Sequence, residues 1–140
     1  MAKRKPIPET TKLQLWVKSA GRCEFKGCNT PVWYNGLTLS KGNFAEVAHI
    51  IASSKDGPRG TDQSEEMQVD FDNLMLLCKS CHKEIDDHPE KYPIELLRSW
   101  KQEHENRIDK NHHSIAIGGY ARQVQQLCHP RIVPGMSLFG

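Results

Sequence analysis

The chain lacks any apolar run near the roughly 18–20 residues that a membrane-spanning helix needs. Its start, Met-Ala-Lys-Arg-Lys-Pro, has no apolar stretch of the kind that opens a secretory signal. Both absences point away from the membrane and towards the cytoplasm. Disulfides are disfavoured there, so five cysteines need another use. No internal repeat is found, and nothing sets an oligomeric state. Material for a large core is also missing, since only 37% of the 140 residues are apolar and 26% are charged. One small domain held by a metal staple suits that composition.

The net charge of +2 conceals an asymmetry. Residues 1–60 carry ten Lys/Arg against four Asp/Glu, and residues 61–140 carry nine against thirteen. A basic amino-terminal half fits a phosphate-backbone partner.

Residues 1–8 read as a flexible basic arm, residues 9–110 as the folded domain, and residues 111–140 as an irregular tail or the start of a linker. In the arm's wake, Leu13, Val17 and Ala20 recur at helical spacing from Thr10 to Ala20, with Trp16 beside them and Gly21 placed to end the helix. Asn35-Gly36 suits a hairpin turn. Phe44–Ile51 reads as a short strand, and the polar stretch to residue 70 as one long loop. Asn73–Cys78 reads as a second, buried strand, after which Ser80 can cap a helix. Pro93 sits at the first turn of a further helix whose Ile94, Leu97, Trp100, His104 and Ile108 share a face. That pattern fails after about Lys110.

Two short-spaced cysteine pairs stand out, Cys23-x4-Cys28 and Cys78-x2-Cys81. Each pair can place two thiolates on one ion, and four sulfurs fill a closed tetrahedral Zn²⁺ site. With no open position, such a site is structural. Cys128, followed by His129, is left over as a lone thiol.

His49 ends one apolar strand, Asn73 opens the next, and His82 begins the helix after it. Ala48-His49-Ile50, Asn73-Leu-Met-Leu-Leu-Cys78 and Cys78-Lys-Ser-Cys81-His82 together resemble the three parts of the HNH, or ββα-metal, nuclease family. The likeness covers about residues 20–90. Ala48–Ser54, Gly57-Pro58-Arg59, Cys81–Asp86 and Leu96–Glu105 resemble the nuclease domain of effectors in cyclic-oligonucleotide anti-phage signalling. In those proteins the nuclease precedes a nucleotide-sensing SAVED domain. This chain is too short to hold that sensor, so a sensor domain or partner would lie outside it.

The resemblance implies a fold and a chemistry. The fold expected is α+β, a small zinc-stapled ββα-metal domain with flanking amino- and carboxy-terminal helices. The chemistry is hydrolysis of DNA, with duplex the expected form, at low sequence specificity. By resemblance His49 is the general base, and a histidine near its resting pKa of about 6.5 is largely free to take a proton at neutral pH. Asn73 would orient the His49 ring, hold the loop between the strands or touch the metal. His82 and Asp86 lie four apart on one helix face and can converge on Mg²⁺ or Mn²⁺. Many relatives carry a metal-ligating Asp or His where this chain has Ala48. Glu46, on the same strand face, is the candidate replacement. Arg59 is flanked by turn residues that would present its guanidinium to phosphate, and Lys79 and Lys83 would add backbone contacts. The rival reading is a non-catalytic zinc module that binds nucleic acid.

Overall fold

Glu9–Lys18 form the first helix, α1. The computed structural model, which describes residues 3–113, ends this helix with a pair of bonds past Ser19. The Ala20 N–H donates to the Val17 carbonyl and the Gly21 N–H to that of Trp16, with Ala20 in the left-handed region at φ 57°. This is the two-bond helix stop usually built on glycine, here carried one residue early by alanine. The apolar residues at helical spacing are not its buried face. Leu13 and Val17 are 64% and 65% exposed, while Leu15 and Ser19 are buried. Both stripes repeat every four residues, and the packing of α1 against the second strand selects the one containing Leu15.

The segment after Val32 also differs from expectation. Asn35-Gly36 does not make a two-residue turn. The Asn35 Oδ1 accepts from the Leu37 and Thr38 N–H groups at 2.9 and 3.0 Å, and Tyr34 bridges to Lys41 around a wider loop. An asparagine amide mimicking a backbone turn explains the choice.

Two strands, β1 (Ala45–His49) and β2 (Leu74–Cys78), pair antiparallel with Ala45 opposite Cys78 and His49 opposite Leu74. β1 is half-buried, whereas Leu74–Leu77 of β2 have no solvent exposure. Each of those side chains contributes on the order of 2 kcal/mol by leaving water. A 3-10 turn over Phe71–Asn73 leads into β2, with the Asp70 carboxylate accepting from the Asp72 N–H.

Helix α2 (Lys79–Asp87) starts directly from β2. Its cap residue is Cys78, not Ser80, because no residue separates strand from helix. Helix α3 runs Ile94–His113, so the helix continues to the last described residue, past the expected break near Lys110. The remaining expectations for the tail, Cys128 included, lie outside the described residues. On α3, Leu97, Lys101 and His104 are buried, and the His104 Nε2–H donates to the Ser19 carbonyl at 2.9 Å. The core gathers Val32, Ala48, Ile50, Met75, Leu76, Leu77, Ile85 and Leu97. Phe25, Tyr92 and Trp100 stack edge-on against one another at its border, with centroids 4.8–5.9 Å apart.

The architecture is a small α+β domain, a two-stranded antiparallel sheet with three α-helices among the described residues. None of those helices is long and apolar enough to cross a membrane.

Candidate active site and metal centre

One end of the sheet carries sulfur. Cys23 and Cys28 sit on a knuckle in which the Cys23 N–H donates to the Thr30 carbonyl and the Cys28 N–H to that of Phe25, with Gly27 at φ 92°. Glu24 fastens the knuckle to β2. Its N–H donates to the Leu76 carbonyl, and its Oε1 accepts from the Leu76 N–H at 2.8 Å. Cys78 and Cys81 arrive from the end of β2 and the start of α2. All four Sγ atoms lie within 4.8 Å of one another, and Cys28 and Cys78 are 4.0 Å apart. A tetrahedron of Zn–S bonds of about 2.3 Å has edges of about 3.8 Å, so the cluster fits the ion closely. Burial and the neighbouring sulfurs push the Cys23 thiol up to about 12 and raise Cys81 as well. Cys28 is opposed by burial but drawn down to about 7 by its bonds to Thr30. The four cysteines would hold a divalent cation, whose positive charge would stabilise their thiolates.

The other end of β1 carries one imidazole, and a second one on α2 gathers two carboxylates. His49 closes β1, and its Nε2–H donates to the Gln68 carbonyl at 2.9 Å. A carbonyl can only accept, so the neutral ring keeps its proton on Nε2 and Nδ1 holds the free lone pair. Burial lowers the His49 pKa, and the positive charges of Arg4 and His82 act in the same direction. His49 is therefore neutral at pH 7.

His82, in the first turn of α2, meets two carboxylates on opposite ring nitrogens. Nδ1 lies 2.5 Å from Glu46 Oε2, and Nε2 lies 3.1 Å from Asp86 Oδ2. The bond to Asp86, then that to Glu46, raises the His82 pKa against the opposing effect of burial. Burial pushes Asp86 up, but His82 and Arg59 outweigh it and hold the carboxyl below its usual range. Glu46 thus reaches His82, but not from the side of Asp86. Among the described residues, the four cysteines are the only group of three or more such side chains whose ligand atoms converge. Ala48 is fully buried in the core, so no carboxylate is accommodated there without burying its charge.

Arg59 departs furthest from expectation. Its side chain is 4% exposed and turned inward. Nε and Nη1 donate to the Ile50 and Ile85 carbonyls, both at 2.7 Å, while Nη2 reaches the His49 carbonyl at 3.3 Å and Asp86 Oδ1 at 3.0 Å. The guanidinium ties the end of β1 to the end of α2 and is not presented to phosphate. The loop makes this possible through tight turns. Arg59 lies at φ 57°, and a Cβ on Gly60 would stand 2.1 Å from the Lys55 carbonyl oxygen.

Asn73 is fully buried and clamps the same loop. Its Oδ1 accepts from the Ile51 N–H at 2.8 Å, and its Nδ2 donates to the Ile51 and Met67 carbonyls at 2.9 and 3.1 Å. Of the alternatives raised by the sequence, these bonds are those of loop holding, while Gln68 orients the His49 ring. Lys83 is spent on an exposed pair with Asp87, and Lys79 is exposed.

His49, His82 and Asp86 share a cavity of about 230 Å³ with Ala52, Ser53, Ser54, Gly57, Pro58 and Arg4. Sequence reasoning missed Arg4 and Gln68. The Lys5 N–H donates to Gln68 Oε1 at 2.7 Å, and that contact joins residues 63 apart, with no local signal to announce it.

No curated protein matches the chain. Residues 23–88 do match the family model for HNH endonuclease, a span that takes in all four clustered cysteines, His49, Asn73 and His82, and the match suggests a nuclease or other nucleic-acid-related function.

Proposed function

We propose that this chain is a metal-dependent endonuclease that hydrolyses phosphodiester bonds of duplex DNA with little sequence preference. The observation that carries the reading is the His49 ring. Its Nε2–H is committed to the Gln68 carbonyl, its pKa is lowered, and it shares a cavity with His82 and Asp86.

An imidazole beside a carboxylate suits Mg²⁺ or Mn²⁺. His82 Nε2 and Asp86 would hold that ion, because they face the cavity that contains His49. Glu46 would then accept a hydrogen bond from the Nδ1–H and fix the ring, as carboxylates commonly do behind metal-bound histidines. Once bound, the ion supplies Lewis-acid stabilisation of charge developing at the phosphate. The rest falls to the chain. His49 Nδ1 takes a proton from water as its oxygen attacks phosphorus, the opposite P–O bond breaks, and the departing oxygen takes a proton from solvent. Arg59 keeps the strand that bears His49 and the helix that bears Asp86 at a fixed spacing, and Asn73 fixes the loop between them.

The likeness to anti-phage effectors makes an infected bacterial cell the proposed setting. Plaque counts on cells carrying the wild-type chain or His49→Ala test that role. Nicking of a supercoiled plasmid tests the chemistry. Nicking with Mg²⁺ or Mn²⁺ that disappears in chelator and in His49→Ala supports the proposal. Plasmid binding without cleavage under every metal would instead establish the non-catalytic zinc module.

A further inference from the structure

The cavity beside His49 includes a cation that the hydrolytic scheme has not used. Arg59 spends its guanidinium on three carbonyls and Asp86, so it has little left for a phosphate. Arg4 borders the same cavity as His49, His82 and Asp86, and its side chain is exposed. Among the described residues its guanidinium has no hydrogen-bond or ion-pair partner. Its charge is nonetheless close enough to act on the His49 ring.

The placement of Arg4 has a structural cause. The next residue, Lys5, donates its main-chain N–H to Gln68 Oε1 at 2.7 Å. Gln68 is 1% exposed, and its own carbonyl accepts from His49 Nε2 at 2.9 Å. One buried residue therefore positions both the ring of the base and the arm that carries Arg4. The amide does the second task and the main chain does the first.

We propose that Arg4 is a phosphate-binding catalytic residue of this site, held at the cavity by Gln68, so that the amino-terminal arm completes the active site. A guanidinium offers several N–H donors in a fork that matches two phosphate oxygens. At the edge of the cavity it would meet the nucleotide backbone where negative charge builds up during attack. This inference rests on the nuclease reading given above. Lys3 and Lys5 share the arm's charge but do not line the cavity, which separates the proposal from a merely sticky basic tail.

The test compares full-length Arg4→Ala, Arg4→Lys, Lys3→Ala and Lys5→Pro proteins. Single-turnover cleavage of a duplex is measured at saturating protein, and duplex affinity is measured in chelator. Arg4→Ala is expected to slow cleavage by about 10²–10³-fold, the range for losing a charge-stabilising donor, while affinity changes by less than about threefold. Arg4→Lys should recover part of the rate, and Lys3→Ala should leave it unchanged. Lys5→Pro removes the N–H without touching buried Gln68. It should reproduce Arg4→Ala, and the double variant should be no slower than either single one. A wild-type rate in Arg4→Ala, or an equal fall in Lys3→Ala, overturns the proposal.

A second readout does not depend on cleavage. The charged and polar groups facing the His49 ring are Arg4, His82, Asp86 and the Gln68 carbonyl. Loss of the Arg4 charge should move the His49 titration midpoint upward by NMR. If the wild-type protein cleaves nothing, the nuclease reading fails on its own. An unmoved His49 midpoint in Arg4→Ala then removes the arm from the site as well.

Discussion

The two ends of one short sheet are built to opposite specifications. At the Ala45–Cys78 end four sulfurs already crowd within 4.8 Å. At the His49–Leu74 end the strand closes on the base, and His82, next in sequence to Cys81 on α2, stands between Glu46 and Asp86, which approach it from opposite sides. The first end is closed, with each thiol supplied by the chain and no position open. The second leaves a cavity beside the base. A structural ion needs all its ligands from the protein, whereas a site that must admit water and phosphate cannot be filled by its own side chains.

The largest effect should come from attacking the closed end. Cys78→Ser, or zinc removal by a strong chelator, is expected to cost on the order of 3 kcal/mol or more and to abolish cooperative melting in a domain this small. His82→Ala should leave melting nearly unchanged. Equal melting curves for the two variants would erase the contrast between the ends. Next comes the base. His49→Ala should slow plasmid nicking by about 10²–10⁴-fold with duplex binding retained. In the wild type, a base whose pKa is lowered from 6.5 stays unprotonated through neutral pH. Activity should therefore be level above pH 6.5 and fall only as pH drops through the lower folded value, as a rate profile would record.

Two smaller effects sharpen the comparison. Asn73→Ala strands the Ile51 N–H and two carbonyls in a buried position. A loss of about 1–3 kcal/mol in denaturant titration is expected, together with slower cleavage as the loop shifts. Glu46→Ala should raise the metal concentration for half-maximal cleavage by about 10–100-fold, the usual range for a group that orients a metal-bound histidine. Glu46→Gln, which can still accept from Nδ1, should do less. No change in the metal titration of Glu46→Ala would remove that residue from the site.

The closed end was far more legible than the open one. Cysteine spacing is a property of short segments, and a run such as Leu74–Leu77 can only be buried. The buried face of α1 is not legible from the sequence because Leu13–Val17 and Leu15–Ser19 obey the same period, and the packing partner alone distinguishes them. Strand alternation placed Glu46 near His82 but could not tell which ring nitrogen it would meet. Arg59 reads as an outward phosphate contact because its turn residues are those of an exposed loop. What turns it inward is a left-handed backbone and three carbonyl oxygens, neither of which has a residue-level signature.

Those oxygens also affect how this site can change over generations. The acceptor that orients His49 is the main chain of Gln68. Arg59 is anchored to the main chain of His49, Ile50 and Ile85, and Asn73 to that of Ile51 and Met67. A point mutation replaces a side chain and leaves the peptide in place. These contacts alone place no demand on the acceptor's side chain as long as the path of the loop survives; His49 and Gln68 are constrained by what their side chains do, and Ile50 and Ile85 by the core. Descendants of this domain can diverge at the exposed positions of the loop while keeping their histidine aimed, provided that Arg59, Gly60 and Gln68 hold its path.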